Sequence, residues 1–262
     1  MTILIATRGA KHGTCNICGE IGPLTEDHTP PKGCLAPKQV ELNHIAHLLS
    51  GGPQSTKGRT SQNGVKYRTL CKRCNNTLLG GRYDRHFISF VNAVGSILKS
   101  CLPIPDTLQV KARPQAILRA LIGHVAAQGI DRYLKGPLTE PIRDYFLNDS
   151  ESLPSGLNVF YWAYPFRPHL MVRDAVYVDL PSQEVFSFWM LKFFPLAFLV
   201  TWGEPVGLNY PIHSFEEWRS SAIDLEVEMT ISLSPVPPMY WPEAPTRQSM
   251  VVYGQEAIFV KS

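Results

Sequence analysis

Several features are scarce in this chain, and each scarcity narrows its class. Cysteine is rare, six in 262 residues, which is too few for a disulfide scaffold and favours a reducing compartment. Long apolar runs are missing: the longest tract, Val185 to Trp202, is broken by Ser187, Lys192 and Pro195 and falls short of the ~20 residues a spanning helix needs. The short apolar start within Met1 to Ala10 runs directly into Arg8 and Lys11, without the apolar core and small-residue cleavage site of a secretory leader. No repeat or low-complexity stretch is evident. Together these absences predict a cytoplasmic protein with no membrane attachment. Its balance of 44% apolar and 18% charged residues allows one sizeable core, or a small module joined to a larger domain.

Charge is modest in sum but unevenly placed. The net charge is +3, yet residues 1–100 hold 13 Lys plus Arg against 5 Asp plus Glu, and the remainder holds 12 against 17. A basic first segment attracts polyanions and can contact phosphates, although a patch of this kind also serves solubility alone.

What the sequence does have is four cysteines in matched pairs. Cys15-x2-Cys18 and Cys71-x2-Cys74 each present two thiolates at the bite of a tetrahedral zinc site, so the four predict a structural Zn2+ site with no open position for substrate. Cys34 and Cys101 remain as plain thiols. The 52 residues from 19 to 70 between the pairs exceed the loop of a simple zinc ribbon, so the spacing predicts an insertion between the knuckles. Within it lies Glu26-Asp27-His28. An imidazole can act as a base and an adjacent carboxylate can hold a cation, the two needs of phosphodiester hydrolysis beyond water itself. Neighbours on a strand face opposite ways, so the two can cooperate only where the chain bends, and Thr29-Pro30-Pro31 supplies a bend.

Three strings carry a family resemblance: Cys15-Asn16-Ile17-Cys18-Gly19, then Leu24-Thr25-Glu26-Asp27-His28-Thr29-Pro30-Pro31-Lys32-Gly33, then Arg68-Thr69-Leu70-Cys71-Lys72-Arg73-Cys74-Asn75-Asn76. They resemble the four-cysteine, zinc-stapled branch of the HNH endonucleases over 62 of 262 residues, 15 to 76. The resemblance implies a β-hairpin and helix around a catalytic Mg2+ or Mn2+, with His28 as general base and Asp27 as metal ligand. It implies that Asn75 fills the third position, with Asn76 the neighbouring alternative. Lys32, Lys66, Arg68, Asn76, Arg82, Asp84 and His86 are candidate substrate or supporting residues. One position departs from the pattern. The middle asparagine, which orients the loop bearing the histidine in that family, falls at Lys66, and Asn63 is nearby but out of register. The implied partner is nucleic acid, DNA ranked ahead of RNA although backbone contacts carry no base information. A zinc-stapled module that binds nucleic acid or protein without cutting is the alternative.

Elsewhere the pattern is structural. Residues 34–64, which carry His44, His47, Lys57 and Arg59, read as a long loop containing Gly51, Gly52, Pro53 and Gly58, with the two histidines as plain surface residues. A strand is expected over Val65 to Leu70 and a helix from near Asn75. Phe87, Phe90, Val91, Val94, Ile97 and Leu98 mark an amphipathic helix, while Asp84 and His86 either reach the site or sit where one helix ends and the next begins. A second helix is predicted between Pro114 and Lys135, with His124 as a core histidine in its apolar stripe. Strands are predicted over 158–164, 169–178, 184–194 and 196–202, with the cleanest alternation over Leu225 to Leu233. The aromatic run Phe186 to Trp202 reads as sheet core, with base stacking on exposed rings as the alternative. The expected architecture is α+β: a zinc-bound HNH-like module over 1–105, a helical connector over 106–150, and an antiparallel β-rich domain over 151–262, offering a surface for a protein partner.

Overall fold

A computed structural model describes residues 5–36, 38–49, 58–133, 139–206 and 208–261 of the chain. Strands β1 (His12–Thr14) and β2 (Ile21–His28) form an antiparallel pair whose connection is the first cysteine knuckle. Gly19 closes that knuckle at φ 76°, a left-handed conformation that glycine adopts without steric cost.

The segment between the cysteine pairs departs from the expected long loop. It contributes β3 (Val40–His44), a single helical turn α1 (Ile45–Leu49) and β4 (Arg59–Ser61). Val40, Leu42 and His44 alternate inward along β3, a two-residue period spread too thinly over polar neighbours to stand out in the sequence. The glycine-rich part of that loop, with Lys57, lies outside the described residues. The chain then returns as β5 (Lys66–Cys71), which pairs antiparallel with β2 from Leu24 opposite Cys71 to His28 opposite Lys66. A bulge between Thr25 and Glu26 breaks the register. Such a bulge twists a strand and re-aims the side chains beyond it, which here are Asp27 and His28.

From the second knuckle the chain runs into one helical stretch. Its first part, Arg73–Tyr83, is π-helical, and the Asp84 N–H still reaches back to the Leu79 carbonyl. Its continuation, α2 (Asp84–Leu98), buries Phe87, Phe90, Val91 and Val94, the stripe expected from the sequence. After β6 (Thr107–Ala112) comes α3 (Pro114–Ala126), which ends short of the predicted limit and has all 13 residues buried. A helix buried on every side is a central element, and any polar group on it needs a partner. Helix α4 (Thr139–Leu147) packs on α3.

The remaining strands are β7 (Leu157–Ala163), β8 (His169–Asp179), β9 (Val185–Phe193), β10 (Leu196–Trp202), β11 (His213–Ser214), β12 (Val227–Ser232), β13 (Ser249–Val252) and β14 (Ile258–Lys261). Among the described residues they form, with β3 and β4, a nine-stranded antiparallel sheet ordered β11-β7-β10-β9-β8-β14-β3-β4, with β13 on the far half of β8. Strand β12 instead pairs with β6, a strand not among those expected although Thr107 to Ala112 alternates polar and apolar residues. The strands from the inserted segment therefore share a sheet with those after residue 150, through β14 on β3. No described helix is long and apolar enough to cross a membrane.

Candidate metal centre and adjoining histidine site

The four knuckle cysteines converge. Sγ atoms of Cys15, Cys18, Cys71 and Cys74 all lie within 4.8 Å of one another, and Cys18 and Cys71 are 3.7 Å apart. Thiolates about 2.3 Å from a tetrahedral zinc sit roughly 3.8 Å from each other, whereas a disulfide needs about 2 Å. The set is thus arranged to hold a metal ion such as zinc. Cys15 and Cys74 are fully buried, and the Cys71 N–H points at Cys15 Sγ from 3.3 Å.

Asn16, inside the first knuckle, ties this centre to the middle of the protein. Its Nδ2 donates to the carbonyls of Ala126 (3.2 Å) and Gly129 (2.8 Å), and its Oδ1 accepts from the Arg132 N–H at 3.0 Å. Thr69 of β5 adds a bond to the Ala127 carbonyl at 2.6 Å. The end of α3 is therefore fixed against both halves of the cysteine cluster.

Asp27 and His28 diverge as adjacent strand residues should. Asp27 is only 4% exposed and turns into the core, where its Oδ2 lies 2.9 Å from His124 Nδ1 and 3.4 Å from Thr29 Oγ1. His124 Nε2 is in turn 2.9 Å from Asp84 Oδ1. Burial alone pulls the His124 pKa down, but the carboxylates of Asp27 and Asp84 more than offset it and push it up to about 10. His124 is a core histidine as expected, yet its two carboxylate partners were not foreseen. The only signal for them was a histidine inside an otherwise apolar stripe.

His28 is half-buried. Its Nε2 is shielded from solvent and has no hydrogen-bond partner among the described residues. Burial lowers its pKa, the cations of Lys32 and Lys66 lower it further, and Asp27 and a backbone hydrogen bond at Asn63 oppose them. The ring is consequently neutral near pH 7. Asn63, at φ 61°, thus meets His28 through its backbone, beside the position where the family pattern expects an asparagine side chain.

Asn75 sits on the same strand from the helix side. Its Nδ2 donates to Thr25 Oγ1 (2.9 Å) and to the Glu26 carbonyl (3.0 Å), the peptide group that leads into Asp27. Glu26 itself gathers Arg68 at 2.9 Å, Lys66 at 3.2 Å and Arg8 at 3.6 Å, so three cations surround one carboxylate and hold its pKa down against its own burial. Lys32 and Asn76 are exposed. Arg82 pairs with Asp149, and His86 accepts from Arg85 and senses Arg113 and Glu226, so these two are engaged elsewhere. His44 is buried, with Nε2 on the Gly254 carbonyl and Nδ1 accepting from the Ala46 N–H. It holds α1 in place, contrary to the surface role expected. The aromatic run of β9 and β10 is largely buried, as sheet core should be.

No family model matches the chain, and no curated protein or solved structure is significantly similar to it.

Proposed function

We propose that the protein is a metal-dependent nuclease of the zinc-stapled HNH type, hydrolysing phosphodiester bonds. The observation that carries the proposal is His28: a neutral imidazole whose Nε2 is uncommitted, at the end of a strand pinned by the cysteine cluster. A neutral ring with a free nitrogen is the protonation state a general base needs, and Nε2, shielded from solvent as the ring lies, has to be uncovered for a water to reach it. Lys32 and Lys66 act on the same ring and, with Arg8 and Arg68, favour an incoming phosphate. Further support comes from the order of elements, since β2 and β5 pair antiparallel and feed the helical stretch at Arg73–Leu98 through the second knuckle.

The donor set suits a hard divalent ion. Among the described residues neither Asp27 Oδ1 nor Asn75 Oδ1 has a hydrogen-bond partner, while Asp27 Oδ2 and Asn75 Nδ2 are both committed to protein. Carboxylate and amide oxygens are the donor type Mg2+ or Mn2+ prefers. When bound, such an ion stabilises charge developing on the phosphate. Asn75 and His124 keep the two oxygens fixed, His28 removes the proton, and the lysines orient the backbone.

One observation favours the second reading, a non-catalytic zinc-stapled binding module: Asp27 is almost entirely buried and spends one carboxylate oxygen on His124. The two readings separate on plasmid nicking with Mg2+ or Mn2+. The nuclease predicts nicking that His28→Ala abolishes, whereas binding to DNA or RNA with no cleavage by either protein supports the module.

A further inference from the structure

We infer that His124, on a helix outside the family-like segment, is a positioning residue that aims the Asp27 carboxylate, with Asp84 holding the imidazole from behind; this rests on the nuclease reading above. Both ring nitrogens lie 2.9 Å from carboxylate oxygens, Nδ1 from Asp27 Oδ2 and Nε2 from Asp84 Oδ1. Carboxylates accept, so both nitrogens donate and the ring is fixed at its two ends. It cannot swing away, because every residue of α3 is buried and the Phe87 ring packs against it at 6.4 Å. Thr29 Oγ1 braces the same oxygen of Asp27 and lies 3.5 Å from the His124 carbonyl. Asp27 is therefore held at Oδ2 by two groups, and Oδ1 has no hydrogen-bond partner among the described residues.

A structural triad of buried charges would need the same bonds, but it would make no difference to a metal. A positioning role does. Residues that orient a metal ligand typically change affinity or activity by about 10–100-fold when removed. The helix that carries His124 is also the one that Asn16 and Thr69 tie to the cysteine cluster, so the scaffold and the carboxylate share one reference element.

The test measures Mn2+ binding to the full-length, zinc-loaded protein by electron paramagnetic resonance, independently of cleavage. His124→Leu, checked for retained zinc and a cooperative melt, is expected to bind Mn2+ about 10–100-fold more weakly than wild type. His124→Gln, which keeps one donor, falls between them, and saturating Mn2+ partly restores nicking in both. In wild type the hydrogen-bonded imidazole N–H resonances shift as Mg2+ is added. Wild-type Mn2+ affinity in either folded variant overturns the inference while leaving the nuclease reading intact. Should neither variant fold, N–H resonances unmoved at saturating Mg2+ overturn it. A wild-type protein that neither binds Mn2+ nor nicks discards both.

Discussion

Asn16→Ala tests the link between the cysteine cluster and α3. The substitution removes three hydrogen bonds of 2.8, 3.0 and 3.2 Å made by a side chain that is 5% exposed. Their losses are unequal. The Ala126 carbonyl keeps a partner, because Arg173 Nη1 also donates to it at 2.6 Å. The Gly129 carbonyl and the Arg132 N–H lose the partner that Asn16 provides, at about 1–3 kcal/mol for each buried polar group left unsatisfied. Arg132 is only partly buried, which places its share at the lower end. The expected loss is about 3 kcal/mol, or roughly 6–12 °C in Tm for a chain of this size. Urea unfolding followed by tryptophan fluorescence, with zinc in excess, reads it directly. A loss below about 1 kcal/mol with normal zinc content would refute the claim that Asn16 anchors the knuckle to α3.

Other outcomes follow from the same physical reasoning. Lys192 is fully buried, its Nζ donating to Glu243 at 2.8 and 2.9 Å and to the carbonyls of Met239 and Trp241 at 2.6 and 3.0 Å. Lys192→Met is expected to cost about 3–5 kcal/mol in urea unfolding, with most of it recovered when Glu243→Gln is added, because the harm lies in the orphaned carboxylate. His169 is buried, its Nε2 has no hydrogen-bond partner among the described residues, and burial lowers its pKa from 6.5 to about 3. The unfolded chain binds this proton below pH 6.5 and the folded one does not, so stability drains away as pH falls through that window. Relative to wild type, His169→Phe should therefore gain about 1.4 kcal/mol per pH unit between roughly pH 6 and 4; a pH-independent gap contradicts this. Cys74→Ser should lose bound zinc, measured by atomic emission, and amide protection over β2 and β5 should fall with it; full protection without metal would show that the cysteines are not a staple.

Much of the fold follows from short-range pattern. The stripe of α2, the strands β7 to β10 and the four clustered cysteines are all visible as spacing, because period and ligand bite are local properties. What escaped is non-local or thinly marked. Strand β6 is a short alternating run, Thr107 to Ala112, whose partner β12 lies more than a hundred residues later, and β3 is set in the sheet by pairing with β14 on one side and β4 on the other. His44 looked like a surface residue because its carbonyl acceptor, Gly254, is 210 residues away. The site shows the same division. Asp27, His28 and Asn75 could be picked out as types at a spacing, and Asn75 does reach the peptide before Asp27. That Asp27 turns inward onto His124, 97 residues later, is a property of packing that no motif encodes.

The most direct test of the nuclease proposal is the rate of plasmid nicking by zinc-loaded wild type and His28→Ala, compared at saturating Mg2+ and Mn2+. A general base contributes about 10²–10⁴-fold, so wild type should nick and His28→Ala should fall by that factor with unchanged zinc content. Equal rates in the two proteins, or no cleavage by either with any metal on DNA or RNA, would contradict it.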